Sequence, residues 1–247
     1  MQAPVGGLPT RAQHWKANND TAGQSMTKWR TPHPVLTLIG LIFALGVGLL
    51  PLAHWGDTYI LPGSHWGAEV LWWAAVLVLL LYVLAAEHRS LGSIGFRTPR
   101  GADLGWGLIF GIALFVGAGV LDGIVFPALH LKIDVSTYRS IIGAPIAYRI
   151  ALVTRAAVCE ETLFRGYAIE RLKEWSGSAW LAGLISLAAF TFAHLASWGA
   201  PQLIVAAYGG ALLTVLYLWR RNLWGNMLAH WIGDCSFIIV PLLTAHR

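Results

Sequence analysis

Long apolar runs alternate with short polar segments along most of the chain, and this pattern predicts helices that cross a membrane. A transmembrane helix needs about 20 mostly apolar residues, and these runs are too many and too long for the core of a soluble domain. The runs occupy residues 35–53, 68–86, 104–127, 142–163, 179–197, 201–218 and 223–243. The pattern therefore predicts an all-α, polytopic membrane bundle of about seven or eight transmembrane helices.

The domain organisation follows from where these runs begin. Residues 1–34 are polar and lack an apolar core, so we expect a disordered cytoplasmic tail and not a signal peptide. Residues 35–247 then form a single membrane domain. The composition agrees: 56% of the residues are hydrophobic, 12% are charged, and the mean hydropathy is +0.60, which leaves no room for a sizeable aqueous domain.

The net charge of +5 raises the question of nucleic-acid binding, and the positions of the basic residues answer it. Most of them lie before the first run or in alternate connections between runs, as the positive-inside rule predicts for cytoplasmic segments. These are Arg11, Lys16, Lys28, Arg30, Arg89, Arg97, Arg100, Arg165, Arg171, Lys173, Arg220 and Arg221. We therefore expect an integral protein of the plasma (inner) membrane with a cytoplasmic N-terminus, an outer C-terminus and no nucleic-acid partner.

Ionisable residues inside apolar runs are the strongest functional signal in a membrane protein, because a charge near mid-bilayer is costly unless it is paired or faces a polar cavity. Three groups stand in the last four runs. They are Glu160, Glu161 and Arg165; Phe190 and His194; and Asn226, His230 and Asp234.

Simple helix arithmetic predicts that the three groups can meet. Glu160 and His194 each lie seventeen residues from Gly177, which marks the turn between two antiparallel helices, so they share one level. Asn226, His230 and Asp234 are spaced four apart and therefore share one helical face. The sequence predicts one polar constellation within the membrane.

Each member also has a purely structural explanation. Glu161 and Arg165 have the spacing of an ordinary i, i+4 ion pair, which would leave Glu160 free because neighbouring residues of a helix point about 100° apart. A lone intramembrane histidine such as His194 often hydrogen-bonds another helix. His230 and Asp234 could form an in-helix pair. Only the combination favours a functional site.

The combination of carboxylates and imidazoles is typical of two kinds of hydrolytic site. A glutamate beside a neutral histidine can deprotonate a shared water, while other side chains stabilise the oxyanion. Glu160, His194, His230 and Asp234 would equally suit zinc, although the His-Glu-x-x-His pattern is absent. We expect no cofactor and keep zinc as the alternative.

The ordered motifs resemble a known family. Glu160-Glu161-x-x-x-Arg165, Phe190-x-x-x-His194 and His230-x-x-x-Asp234 are similar to those of the CAAX prenyl protease and bacteriocin-processing family, also called Abi or type II CAAX endopeptidases. The resemblance covers about residues 90–240, and it implies a protease-like core at about residues 90–243. It implies an intramembrane glutamic endopeptidase, often labelled a metalloprotease, that cleaves near the C-terminus of a membrane-associated protein, such as one with a prenylated CAAX tail.

The resemblance also implies roles for the matching residues. Glu160 corresponds to the general base and His194 to the residue that helps to position and activate water. Glu161 and Arg165 match supporting positions, and His230 matches an oxyanion donor. The family's fourth position is often asparagine, whereas this chain has Asp234, which must either be protonated to donate or act by orienting His230.

Two other functions fit the same residues. A catalytically silent scaffold or bacteriocin self-immunity protein would retain the motifs without using them. A proton-coupled transporter could use Glu160 and His194 as a relay, but the inverted repeat typical of transporters is absent from the sequence. The sequence leaves the substrate, the need for a prenyl group and the oligomeric state open.

Overall fold

The computed structural model describes residues 33–131 and 135–239. All regular secondary structure in these ranges is helical. The predicted N-terminal tail, apart from its last two residues, lies outside the described residues, as do residues 240–247 at the end of the last predicted span.

The first half of the bundle contains three long apolar helices joined by short ones. Its α-helices are α1 (Pro34–Gly46), α2 (Leu52–Trp55), α3 (Trp66–Leu81), α4 (Gly101–Val120) and α5 (Phe126–Ala128). Short 3₁₀ turns lie at Val47–Leu49 and Leu91–Ile94, and π-helical turns at Gly56–Ile60, Tyr82–Ala86 and Leu121–Val125.

The second half contains the segments in which the candidate residues lie. Its α-helices are α6 (Ser136–Gly143), α7 (Ile146–Arg155), α8 (Ile169–Ser176), α9 (Ala179–Ala193), α10 (Leu195–Trp198), α11 (Leu203–Arg220) and α12 (Leu223–Gly233). A π-helical segment, Ala156–Ala168, connects α7 directly to α8.

Three helices are long and apolar enough to cross a membrane, namely Trp66–Ala86, Gly101–Ala128 and Leu203–Arg220. A fourth span is possible if Pro34–Leu49 and Leu52–Ile60, which meet at a bend of 76°, count as one. Ala179–Ala193 is a shorter apolar helix. The described residues thus support an integral membrane protein with three or four candidate spans, and the prediction of seven or eight is not confirmed.

The apolar runs that fall short of a full span are interrupted where polar residues or helix breaks occur. The run 179–197 breaks at His194, where α9 ends and the four-residue α10 begins. In the run 223–243, α12 ends at Gly233, residues 234 and 235 form a turn, and residues 236–239 are helical again. The breaks in these two runs therefore coincide with two of the candidate residues, His194 and Asp234.

The turn between α8 and α9 has the position that the sequence predicts. Gly177 ends α8 with a φ of 71°, a left-handed conformation that glycine adopts without strain. Ser178 then caps α9 by accepting a hydrogen bond from the backbone N–H of Leu181 at 3.2 Å. α8 and α9 consequently form an antiparallel pair.

Ion pairs join the segments that the positive-inside rule assigns to one side of the membrane. Arg171 donates to Glu87 at 2.6 Å, Arg220 donates to Asp103 at 2.7 Å, and Arg221 pairs with Glu170. The connections before α4, after α8 and after α11 therefore lie at one end of the bundle. This grouping agrees with the predicted alternation, while the orientation in the membrane stays a prediction.

The π-helical segment lies at the centre of the bundle. Nearly all of its side chains are buried, and its apolar members Leu163, Phe164 and Tyr167 pack in the main core with residues from α1, α3 and α9. α12 lies against this segment on one side and against α4 on the other. The candidate residues of α12 are thereby held at the centre of the protein.

Glycines let α4 and α12 approach closely. A Cβ atom at Gly107 would lie 2.5 Å from the carbonyl oxygen of Gly225, and one at Gly111 would lie 2.7 Å from Cβ of Ile232. Gly119, near the end of α4, and Gly123, in the π-helical turn that follows, form a second pair of glycines spaced four residues apart. A Cβ atom at either of these positions would meet nothing within 4 Å. Only the first pair therefore serves helix packing within the described residues.

Candidate active site

Both glutamates of the first motif lie on the π-helical segment. Its hydrogen bonds run from residue i to i+5, and π-helical turns occur frequently at functional sites. Glu161 is completely buried and Glu160 is 9% exposed. The local geometry thus presents two adjacent carboxylates inside the protein, each with its own set of partners.

Glu161 is the centre of a closed network. Its Oε1 accepts hydrogen bonds from Nη1 of Arg165 and from Nδ1 of His230, each at 2.8 Å, and its Oε2 accepts one from Nδ2 of Asn226 at 3.1 Å. Arg165 and Asn226 are also fully buried. The ion pair that the i, i+4 spacing predicts is present, and both carboxylate oxygens of Glu161 are engaged.

The contact with Glu161 determines how His230 is oriented. A carboxylate that is paired with an arginine accepts hydrogen bonds, so Nδ1 of His230 is the donor and carries a proton. The opposite ring nitrogen, Nε2, lies 4.0 Å from Oε2 of Glu160 and 3.5 Å from Oδ2 of Asp234. The contact with Glu161 therefore holds the imidazole so that Nε2 lies between the carboxylates of Glu160 and Asp234.

Glu160 has a different environment from Glu161. Its Oε1 accepts a hydrogen bond from Nη1 of Arg155 at 3.2 Å, and its Oε2 faces His230 without a direct hydrogen bond. One oxygen is thus anchored, and the other is open toward the imidazole. This division is what a carboxylate needs if it is to receive a proton from a water molecule next to the histidine.

The residues of α12 share one face, as their spacing predicts. Asn226 donates to both Glu161 and the carbonyl of Leu213, at 3.1 and 2.7 Å, and therefore joins the π-helical segment to α11. Asp234, at the end of α12, has a side chain that is 31% exposed. Along this face of α12, the side chains change from buried at Asn226 to partly exposed at Asp234.

Phe190 stands between the network and His194. Its ring centroid lies 4.1 Å from the guanidinium carbon of Arg165, 4.6 Å from the ring of His194 and 6.4 Å from the ring of His230. Nδ1 of His194 donates to the carbonyl of Phe190 at 2.8 Å. His194 has no direct polar contact with Glu160 or His230, all of which are described residues.

The structure therefore joins six of the predicted residues through polar contacts and places His194 next to them without such a contact. Glu160, Glu161, Arg165, Asn226, His230 and Asp234 form one connected network of side chains. His194 lies next to this network across the ring of Phe190. The predicted common level of His194 and Glu160 does not bring the two side chains into contact.

Two residues of the site were missed from the sequence. Arg155 lies between Glu160 and Glu69, with its Nε 3.4 Å from Oε2 of Glu69. In an α-helix, Arg155 and Glu160 would point about 140° apart, and only the wider π-helical turn brings residues five apart together. The sequence does mark Glu69 as unusual, because it is the one acidic residue in the apolar run 68–86.

The donor set proposed for zinc does not converge. Among the described residues, no group of three or more His, Cys, Asp and Glu side chains is arranged to hold a metal ion. His194 hydrogen-bonds a backbone carbonyl, and Glu160 pairs with Arg155.

A helical membrane protein with two carboxylates and an imidazole buried at its centre has the features of a membrane-embedded hydrolase. Residues 142–236 match the family model described as Type II CAAX prenyl endopeptidase Rce1-like. The match confirms the resemblance found from the motifs, and all eight predicted site residues lie within it. It supports a protease function. No curated protein and no solved structure matches the chain.

Proposed function

We propose that this protein is an intramembrane endopeptidase in which Glu160 and His230 activate a water molecule. The observation that carries the proposal is the 4.0 Å distance between Oε2 of Glu160 and Nε2 of His230. This distance is too long for a direct hydrogen bond and is suited to a shared water. The family match over residues 142–236 supports the same class of reaction.

The reaction proceeds without a covalent enzyme intermediate. Oε2 of Glu160 takes a proton from the water while the water oxygen attacks the peptide carbonyl carbon. A proton on Nε2 of His230 stabilises the oxyanion of the tetrahedral intermediate. When the carbon–nitrogen bond breaks, Glu160 returns the proton to the leaving amine, and the carboxyl product and the amine product separate.

The supporting residues hold these two groups in place. Glu161 orients His230 through Nδ1, and Arg165 neutralises Glu161 within the protein interior. Asp234 lies 3.5 Å from Nε2 of His230, which supports the orienting role and not that of an oxyanion donor. We assign His194 an indirect role through Phe190, whose ring contacts both histidines and Arg165.

The substrate that we propose is a membrane-associated protein cleaved near its C-terminus, and a prenylated CAAX tail is its most specific form. This part rests on the family description. The buried position of Glu160 and His230 in a protein with several apolar helices agrees with a substrate that reaches the site from the lipid bilayer. We propose a metal-free mechanism, since the described His, Cys, Asp and Glu residues do not group around a metal position.

Comparison of membrane-protein C-termini in cells that express the wild type or Glu160→Gln tests the proposal. We expect shortened C-termini that disappear in the Glu160→Gln variant, with equal amounts of both proteins in the membrane. Glu174→Gln is the matched control, because Glu174 is paired with Arg89 away from the site. Identical C-termini in wild-type and Glu160→Gln cells would instead indicate a silent scaffold or immunity protein.

A direct assay complements the cellular experiment. Purified protein in liposomes is incubated with an S-farnesylated peptide that ends in cysteine, two aliphatic residues and a free C-terminal residue. We expect cleavage after the cysteine by the wild type and by Glu174→Gln, and none by Glu160→Gln. The same peptide without the farnesyl group measures how far the lipid is required.

A further inference from the structure

Arg155 lies between two carboxylates that come from different helices. Its Nη1 is 3.2 Å from Oε1 of Glu160, and its Nε is 3.4 Å from Oε2 of Glu69 on α3. The side chains of Arg155, Glu160 and Glu69 are only 12, 11 and 6% exposed. The guanidinium of Arg155 thus pairs with two buried carboxylates, and one of them, Glu160, is the proposed general base.

Arg155 holds Glu160 more loosely than Arg89 holds Glu174 or Arg171 holds Glu87. Arg89 binds Glu174 through two parallel hydrogen bonds of 2.6 and 2.5 Å, one to each oxygen. Arg171 likewise contacts both oxygens of Glu87. Pairs between arginine and a carboxylate are frequently two-pronged in this way.

The single contact leaves the other oxygen of Glu160 available. Arg155 reaches Oε1 alone, whereas Oε2 faces Nε2 of His230. A guanidinium donates hydrogen bonds and does not release its proton in proteins, so Arg155 can anchor Glu160 without protonating it. The arrangement is therefore suited to a base that must be fixed in place and still be able to receive a proton.

α3 supplies the groups that keep the guanidinium in this position. Glu69 attracts the Nε side of Arg155, and the ring of Trp72, one turn further along α3, lies 5.1 Å from its guanidinium carbon. Among the described residues, neither oxygen of Glu69 has a hydrogen-bond donor, so its contact with Arg155 is an ion pair only. Glu69 lies outside the matched segment 142–236.

We propose that Arg155 and Glu69 are positioning residues for Glu160: Glu69 draws the guanidinium toward α3, so that Arg155 anchors one oxygen of Glu160 and leaves the other to act on water beside His230. This inference rests on the proposed function. Without Glu69, the guanidinium is free to move onto both oxygens of Glu160 and form the two-pronged pair seen elsewhere in the protein.

The test is steady-state kinetics of the full-length protein in liposomes with the S-farnesylated peptide. We expect kcat to fall about 10-fold for Glu69→Gln and about 100-fold for Arg155→Gln, the range measured when groups that orient a reactive ligand are removed, with KM nearly unchanged. Arg155→Lys retains the charge but not the fork-shaped set of donors, so we expect partial activity.

Coupling between the two residues separates positioning from independent effects. Because Glu69 acts through Arg155, the double variant Glu69→Gln/Arg155→Gln should be no less active than Arg155→Gln alone. The matched control is Asp103→Asn, which removes a buried carboxylate paired with Arg220 elsewhere in the bundle. Its thermal stability should fall while kcat per folded molecule stays at the wild-type value.

Each outcome bears on a different statement. Loss of kcat in Glu69→Gln at unchanged KM, with partial activity in Arg155→Lys, supports the inference. Wild-type kcat in folded Glu69→Gln and Arg155→Lys, together with an inactive Glu160→Gln, overturns the inference and leaves the proposed function standing. Failure of the wild type to cleave the peptide, with or without its farnesyl group, overturns both.

Discussion

Nδ1 of His230 lies 2.8 Å from Oε1 of Glu161, and this contact turns the opposite nitrogen of the ring toward Glu160. The same oxygen of Glu161 also accepts from Arg165. One carboxylate therefore neutralises a buried arginine and orients the imidazole, and its neighbour along the chain is left with an open oxygen. Two adjacent glutamates acquire different roles because they have different partners.

Glu161→Gln should lower the activity strongly, because a neutral amide oxygen holds Nδ1 of His230 less firmly than a carboxylate does. It also leaves Arg165 buried without a counter-ion, and breaking a buried pair in this way costs about 3–5 kcal/mol of stability. We expect a large decrease in the midpoint of thermal unfolding in detergent and little cleavage of the farnesylated peptide.

A double variant separates the two effects of Glu161. In Glu161→Gln/Arg165→Met both charges are absent, so the thermal midpoint should recover substantially from that of the single variant. Cleavage should stay about 100-fold below the wild type, because a neutral amide oxygen accepts from Nδ1 of His230 more weakly than the carboxylate does. A stable double variant with wild-type activity would show that Glu161 does not orient His230.

Asp234→Asn should preserve activity. The corresponding motif position is often asparagine in the family that the chain resembles, and an amide can donate a hydrogen bond to an oxyanion whereas an ionised carboxylate cannot. We expect kcat within a few-fold of the wild type, measured with the farnesylated peptide. Asp234→Ala, the control, should be about 10-fold slower because His230 loses its neighbour. A strong loss in Asp234→Asn would show that the carboxylate itself is needed.

The sequence predicted the contacts among the candidate residues better than the fold around them. Charged residues inside apolar runs stand out in the sequence because a charge in lipid is costly. The i, i+4 spacings of Glu161 with Arg165 and of His230 with Asp234 correspond to contacts in the structure. The number of spans was harder to predict, because apolar composition does not show where a helix breaks, as it does at His194 and Asp234.

The partnership of Arg155 with Glu160 could not be derived from α-helical geometry. It depends on the π-helical segment Ala156–Ala168, which brings residues five apart onto one side of the helix. Glu69 contributes from a helix more than 80 residues earlier in the chain, and its contact with Arg155 depends on how α3 packs against α7. Neither local periodicity nor motif spacing contains that information.

Chelators should leave the activity unchanged. The described His, Cys, Asp and Glu residues do not form a group of three that could hold a metal ion, and the proposed mechanism needs only Glu160 and His230 to activate water. We expect the same initial rate with the farnesylated peptide before and after treatment with EDTA or 1,10-phenanthroline. Complete inactivation that added zinc reverses would contradict the metal-free mechanism.

Phe190→Leu should lower activity through its effect on three neighbours. The ring contacts Arg165, His194 and His230, so its loss loosens the packing that holds both histidines. We expect kcat to fall about 10-fold and stability to fall by about 1–2 kcal/mol, within the usual range for a core substitution. Phe192→Leu is the matched control: Phe192 is 61% exposed on the same helix and should tolerate the change.

Gly107→Ala should impair both stability and catalysis by separating α4 from α12. The added Cβ would lie 2.5 Å from the carbonyl oxygen of Gly225, a backbone atom that cannot rotate away, so the two helices must move apart. Such overpacking costs about 1–3 kcal/mol. Because α12 also carries His230, the displacement should lengthen its contact with Glu161 and lower kcat.

Gly105→Ala is the matched control on the same helix, since a Cβ at Gly105 meets nothing within 4 Å. It should keep wild-type kcat and equal or slightly higher stability, because alanine favours a helix over glycine by about 1 kcal/mol. Thermal unfolding and peptide cleavage are measured for both variants in the same liposomes. Equal behaviour of Gly107→Ala and Gly105→Ala would show that the close approach of α4 and α12 does not hold His230 in place.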